Sequence, residues 1–351
     1  MFKKILLITL IIMVATIAIT AASNNKGGKH HNRRFHEDHY KDKFIKWMGR
    51  KKLLYSSEHF QNRYENFKDN VDFIENWNDQ DSDTILGLND FSDLSNIEYK
   101  QLYLGAYVDA SGYDQESALL KNSFSASIAD EVPSHLDWRV KGAVSHVKNQ
   151  GHCGSCYTFS TTGALEGANF IATGEMTTLS EQQLVDCTRT YGNEGCEGGL
   201  MVPSFQYIID NGGINSEESY PYIGKDKQEC KFDPSNIAAN MSGIVKVKRG
   251  SEESLLEAIQ KSPVAIAIDA GQRSFQHYQS GVYYDSKCSR VHLSHAVLLV
   301  GYGTDETSVN PNYWIVKNSW GEAWGQQGYV YMARDRNNHC GISSMASYPL
   351  L

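Results

Sequence analysis

The sequence predicts an α+β fold of two subdomains, preceded by a helical N-terminal region. Three observations carry this. From about Pro133 the apolar patterning is helical first, over Cys156–Thr173, Ser180–Cys187 and roughly Val202–Asn211. Strand-like runs follow at Ile244–Val247, Val264–Ile268, His295–Val300, Tyr313–Val316 and Gly328–Ala333. Helices grouped ahead of strands argue against alternating βαβ units. Before Leu104 the chain is polar, and Phe60, Tyr64, Phe67, Val71 and Ile74 recur at spacings of four and three, one apolar stripe on a single helix.

Taken in order, the chain opens with Lys3 and Lys4, an apolar run from Ile5 to Ile19, and small residues at Thr20, Ala21, Ala22 and Ser23. That pattern predicts a signal peptide over 1–22 and entry into the secretory pathway. The run is shorter than the roughly 20 apolar residues a permanent membrane anchor needs. A helix around Tyr40 to Lys52 carries Phe44, Trp47 and Met48, and the striped helix has a stop at Asn78 and the acidic stretch Asp79–Asp83. Two short helices enclose little apolar area, so this region is expected to pack on a larger body. Residues from about Ser111 to Asp130, rich in Ser, Ala and Asp, read as an extended connector. The formal net charge of −8, without a basic run interleaved with aromatics, excludes nucleic acid as a natural partner. No internal repeat is present.

The chain has seven cysteines. In a secretory context six can pair, which leaves one thiol for chemistry. Cys156, in Gln150-Gly-His-Cys-Gly-Ser-Cys-Tyr157, is the best candidate. A thiol with a pKa near about 8.5 must be held as thiolate to attack a carbonyl. Cys156 falls in the first turn of a helix that Ser155 can cap and Gly174 can end, and the positive end of that helix favours the thiolate. His295 opens the run His-Ala-Val-Leu-Leu-Val-Gly-Tyr-Gly, a rigid element suited to aiming a ring. Asn318 follows the run Tyr313–Lys317, and its amide oxygen can accept the far N–H of the imidazole. Gln150 can donate a hydrogen bond that, with the Cys156 backbone N–H, makes an oxyanion hole. Two other readings of Cys153 and Cys156 stay open on these residues alone: a redox pair, or half a zinc site, the latter lacking a second closely spaced Cys/His pair.

These motifs, with Gly195-Cys-Glu-Gly-Gly199 and Asn318-Ser-Trp320-Gly, resemble those of the papain-like cysteine proteases, closest to the cathepsin L-like group. The resemblance covers almost everything after the signal peptide. It implies a papain-like fold, with a helical left domain and a β-barrel-like right domain, behind a helical inhibitory propeptide. Cys156 would be the nucleophile, His295 the base and then acid, Asn318 the orienting residue, Gln150 the oxyanion donor, and Trp320 a shield over the His–Asn contact. It implies the pairs Cys153–Cys196, Cys187–Cys230 and Cys288–Cys340. Gly198 and Gly199 would leave the backbone bare for an extended substrate. Leu200, Met201, Leu293, Ala296 and Met345 would line an apolar pocket for the side chain two residues before the cut, and the Ser294 carbonyl would hold substrate backbone. No cofactor or metal is implied; the partners would be protein and peptide substrates, the chain's own propeptide and cystatin-like inhibitors, acting on a monomer.

Arg63, Phe67, Asn70, Ile74 and Asn78 fit the family's ERFNIN pattern, and Gly87, Asn89, Phe91 and Asp93 its GNFD pattern. The resemblance therefore implies a propeptide over 23–131, released at acidic pH, and a mature enzyme over 132–351. It implies a lysosomal or endosomal destination, alternatively secretion, and no insertion of the exopeptidase kind is present. Asn240-Met-Ser242 is a glycosylation sequon. The departures are Tyr157 in place of Trp, Ser294 before the histidine, and His59 where the pattern has Glu, which removes a helix salt bridge. His292 is a nearby competitor of His295. A catalytically silent homologue that only binds is the remaining rival.

Overall fold

The computed structural model describes residues 33–110 and 132–351. The expected signal peptide and the connector from Ser111 lie outside the described residues.

Helix α1, Glu37–Lys51, and helix α2, Ser57–Asn78, bury Tyr40, Phe44, Trp47, Phe60, Tyr64, Phe67 and Val71 in a cluster of their own. The cluster rests on a larger body through a short strand β1, Ile85–Leu86, a capped helix α3, Asn96–Tyr103, and a strand β2, Val108–Asp109. Arg63 finds its acidic partners outside α2, at Glu98 (3.1 Å) and Asp93 (3.7 Å), while His59 turns to Ser56 (3.1 Å). The substitution at His59 is thus met by carboxylates from the following segment.

The larger body begins with β3, Leu136–Asp137, and the helices α4 (Cys156–Thr173), α5 (Glu181–Cys187) and α6 (Met201–Asp210). A small hairpin of β4, Ile214–Asn215, and β5, Ile237–Ala239, leads to β6, Gly243–Lys246. Then come α7 (Glu252–Ile259), β7 (Val264–Ile268), the one-turn α8 (Arg273–Gln276), β8 (Tyr278–Ser280), β9 (Val282–Tyr283) and β10 (His292–Leu293). The chain closes with β11 (His295–Thr304), β12 (Asn312–Lys317), β13 (Tyr329–Ala333) and β14 (Ala346–Leu350). The main sheet runs β6-β14-β7-β11-β12-β13-β9, with β3 on β11. This path is open at both ends, so the sheet of the papain-like fold forms no closed barrel.

Alternation along the central strands divides the interior into two cores. Val264, Ile266, Ile268, Val297, Leu299, Trp314 and Val316 face one core with Trp320 and Trp324. Ala265, Ala267, Ala296, Leu298, Val300 and Ile315 face the other, with Leu165, Leu184 and Phe205 from the helices. This is the period-two geometry of a strand buried on both faces. Helix α4 approaches β11 closely because Gly163 has no side chain; a Cβ there would stand 2.8 Å from Leu298 Cδ2. The six bonded cysteines pair as Cys153–Cys196, Cys187–Cys230 and Cys288–Cys340, and Cys156 is free. Among the described residues no helix is long and apolar enough to cross a membrane.

Candidate active site

Cys156 is the first residue of α4, and Gly174 ends that helix at φ 80°. Ser155 stands at the N-cap without capping: its hydroxyl is 2.7 Å from the Tyr222 hydroxyl. The sequence expectation of a Ser155 cap is therefore corrected. His295 opens β11 opposite Cys156, and the Ala296 N–H donates to the Cys156 sulfur at 3.4 Å.

Hydrogen bonds settle which atoms face which. Asn318 Oδ1 accepts the Ser319 N–H at 2.8 Å, so this side of the amide is its oxygen. The same oxygen lies 2.8 Å from His295 Nε2. Nε2 must then carry the ring proton in the neutral tautomer, which leaves Nδ1 as the basic nitrogen, buried and without a partner. Trp320 stacks on the imidazole with centroids 4.6 Å apart at 26°. His292, three positions before His295, is exposed at the edge of β10 and takes no part.

Gln150 is fixed the same way. Its Oε1 accepts the Ser319 hydroxyl at 2.6 Å, so Nε2 points forward, toward the carbonyls of Cys153 (2.8 Å) and Tyr103 (3.1 Å). Its own N–H donates to the Ser319 carbonyl at 2.9 Å. The segment carrying Gln150 is thus laddered to the one carrying Asn318 and Trp320.

The stretch from Gly105 to Ala110 fills the groove between the two lobes. Gly199 N–H donates to the Gly105 carbonyl at 2.9 Å, and Ala106 N–H to the Ser294 carbonyl at 3.1 Å. β2 pairs antiparallel with β10 beyond them. Gly198, at φ 124°, allows this approach, since a Cβ would meet the Gly105 oxygen at 2.4 Å. Ala106 and Ala110 pack in one cluster with Met201, Leu293, Ala296 and Met345, with Leu200 at its margin. Ser294 turns its hydroxyl away, to the Ala270 N–H (3.1 Å). Tyr157 is fully buried, its hydroxyl 3.4 Å from the Gly195 carbonyl.

Covered in this way, the thiol and imidazole are both held neutral. Burial pushes Cys156 up to about 11, against the backbone N–H groups of Ala296, Gly105, Tyr157 and Cys156 itself. Burial takes His295 down to about 4, against the Asn318 hydrogen bond. A thiolate–imidazolium pair needs solvent or substrate dipoles that the covered groove does not supply.

Sequence reasoning missed a buried charge network behind the site. Lys148 Nζ binds Glu166 (2.8 Å) and Glu181 (2.6 Å), while Lys317 donates to Ser145 (3.0 Å), which donates to Glu166 (2.6 Å). A lysine closing the apolar run Trp314-Ile-Val-Lys317 was the available signal. Cys288, His339 and Cys340 bring their ligand atoms within 4.8 Å of one another, but the two sulfurs are bonded to each other and offer no thiolate. Asn240 is exposed on the loop between β5 and β6.

Comparison with known proteins agrees along nearly the whole described chain. Residues 132–350 match the Papain family cysteine protease, and residues 42–99 the Cathepsin propeptide inhibitor domain (I29). The chain is 48% identical over 318 residues to Cysteine proteinase 3 of Dictyostelium discoideum, covering 90% of this chain and 93% of that protein. It is 50% identical over 271 residues to a Cathepsin L-like protein of Caenorhabditis elegans, covering 76% and 77% of the two. A solved structure of digestive procathepsin L 3 of Tenebrio molitor larval midgut superposes with a TM-score of 0.79 at 38% identity, covering 89% of this chain and 99% of that one.

Proposed function

The chain belongs to the papain family of cysteine proteases and carries a cathepsin-type inhibitory propeptide, and from that premise we propose an acid-activated endopeptidase working through Cys156, His295 and Asn318. The observation that carries the reading is the fixed orientation of Asn318, which puts the ring proton on Nε2 and the basic lone pair on Nδ1 of a histidine facing the only free thiol among the described cysteines. His295 Nδ1 takes the Cys156 proton as the sulfur attacks the substrate carbonyl carbon. The developing oxyanion receives the Gln150 Nε2–H and the Cys156 N–H. The imidazolium then protonates the leaving amine, and a thioester remains. Water, deprotonated by the same imidazole, attacks the thioester and releases the acid and the thiol.

The pocket of Leu200, Met201, Leu293, Ala296 and Met345 takes an apolar side chain two residues before the cut. Residues 1–22 are removed as a signal peptide, 23–131 as the propeptide, and 132–351 remain as a monomeric enzyme. Its location is the lysosome or endosome, alternatively the exterior, with Asn240 as a glycan acceptor and cystatin-like proteins as inhibitors. The bonding of Cys153 to Cys196 disfavours a redox pair with Cys156.

The test is labelling with an epoxide thiol inhibitor after acid activation, followed by peptide mapping. Label on Cys156, lost in Cys156→Ala and His295→Ala and kept in His292→Ala, is expected. Absence of label, or label divided between Cys153 and Cys156, overturns the mechanism.

A further inference from the structure

The Tyr222 hydroxyl lies between two backbone segments that matter to the chemistry. It donates to the Gln150 carbonyl at 2.8 Å. A carbonyl cannot donate, so the single phenolic proton is committed there. The contact with Ser155 at 2.7 Å must then be donated by the serine hydroxyl. One oxygen thus ties the residue that supplies the side-chain oxyanion donor to the residue immediately before Cys156, whose N–H is the other donor.

The phenol is itself held firmly. Its ring meets Phe159, on the first turn of α4, edge to face at 5.0 Å and 74°. Its N–H donates to Glu217 Oε1 at 2.8 Å, and the next two N–H groups, of Ile223 and Gly224, converge on Gln182 Oε1 at 3.0 and 3.2 Å. Gln150 is also held through its side chain, by the Cys153 and Tyr103 carbonyls on Nε2 and the Ser319 hydroxyl on Oε1, and through its N–H by the Ser319 carbonyl. Among the described residues, the Tyr222 hydroxyl is the one hydrogen-bond donor to the Gln150 carbonyl.

We propose that Tyr222 is a positioning residue for the oxyanion hole, joining Gln150 to Ser155 so that the two donors keep a fixed separation while the carbonyl carbon becomes tetrahedral. This rests on the proposed Cys156–His295 chemistry. It touches neither substrate nor sulfur. Loss of its hydroxyl therefore raises the barrier to acyl transfer, where an oxyanion forms, and spares simple alkylation of the thiolate, where none does. Removing an oxyanion donor outright costs about 10²–10³ in rate, and loosening one costs less, about tenfold.

The experiment compares wild type, Tyr222→Phe, Ser155→Ala and the double variant, each acid-activated from the full chain. A peptide amide gives kcat and KM, and iodoacetamide gives the alkylation rate of Cys156 across pH. Expected for Tyr222→Phe is a kcat lower by about tenfold, KM within about twofold, and an alkylation profile that superimposes on wild type. The double variant should be no slower than Tyr222→Phe alone, because both changes open one tie. An unchanged kcat, parallel loss of kcat and alkylation, or additive losses would overturn the proposal. If Tyr222→Phe does not fold, Ser155→Ala must show the same split between kcat and alkylation, and its failure to do so counts against the proposal equally. Wild-type enzyme that alkylates elsewhere than Cys156 would instead sink the underlying mechanism, whatever Tyr222 does.

Discussion

The carbonyl oxygen of Tyr103 accepts a hydrogen bond from the side-chain amide of Gln150 at 3.1 Å. The propeptide thus occupies the donor assigned to the reacting carbonyl, and its next residues occupy the backbone partners on both walls, Gly199 and Ser294. Inhibition here is substitution at these three groups, Gln150, Gly199 and Ser294, which the proposed mechanism assigns to substrate.

Gly105 is the narrowest point of that arrangement. A Cβ on it would stand 2.0 Å from the Gly154 carbonyl oxygen, so Gly105→Ala must lift the segment away. Overpacking of this kind costs about 1–3 kcal/mol. The uncleaved variant is expected to hydrolyse peptide at neutral pH and to label at Cys156 at least about fivefold faster than wild type. Equal labelling rates would show that the segment is held by its flanks alone.

Release by acid should depend on Asp83. Desolvation raises this carboxyl, but hydrogen bonds from the Val309 and Asn310 N–H groups and from the Asn310 side chain outweigh it and hold the group below its usual range. A carboxyl depressed in the docked state stabilises docking above its undocked pKa, near about 3.9, and loses that contribution as pH falls below it. Asp83→Asn removes the contribution at every pH. The onset of activation should move toward neutral by roughly half a pH unit or less, because the group is only half-buried. Asp93 has the opposite sign: burial raises it, against Tyr55 and Arg63, so acid alone does not loosen that contact. A pH series of zymogen processing for both Asn variants separates the two.

The apolar pocket predicts its own selectivity. Peptides with Leu, Val or Phe two residues before the cut should be cleaved at least about tenfold more efficiently than the Arg peptide, which would bury an unpaired charge. Arg cleaved as fast as Phe would mean that the side chain leaves the pocket for solvent.

Glu166 is 1% exposed and accepts from Lys148, Ser145 and the Leu179 N–H. Glu166→Ala takes from Lys148 one of its two carboxylate partners and from Ser145, which holds the buried Lys317, its acceptor, at about 3–5 kcal/mol. Thermal unfolding of the mature enzyme should shift down by several degrees or more. An unchanged Tm would show that Glu181 and solvent suffice.

Much of this was legible in the sequence where structure is local. The boundaries of α4 follow from a glycine at its left-handed end, and the two faces of β7 and β11 from near-continuous apolar runs. Ser155 was misjudged because its partner, Tyr222, lies 67 residues away, and short-range capping preference says nothing about such a competitor. The partners of Arg63 and the Lys148–Glu166–Lys317 network failed to show for the same reason: long-range pairing of charges leaves no periodicity. The openness of the sheet depends on which strands find edges, a property of the assembled chain.

The absent side chain at Gly163 bears on how this enzyme can change over generations. Leu200, Leu293 and Met345 stand on three separate segments, so the proposed pocket can be reshaped by altering them one at a time. The spacing between the helix bearing the sulfur and the strand bearing the imidazole rests instead on a tight contact, where an added methyl would stand 2.8 Å from Leu298 Cδ2 and force that side chain to move. Selectivity can be altered one side chain at a time, whereas the separation of the reacting groups changes only when a helix and a strand shift together.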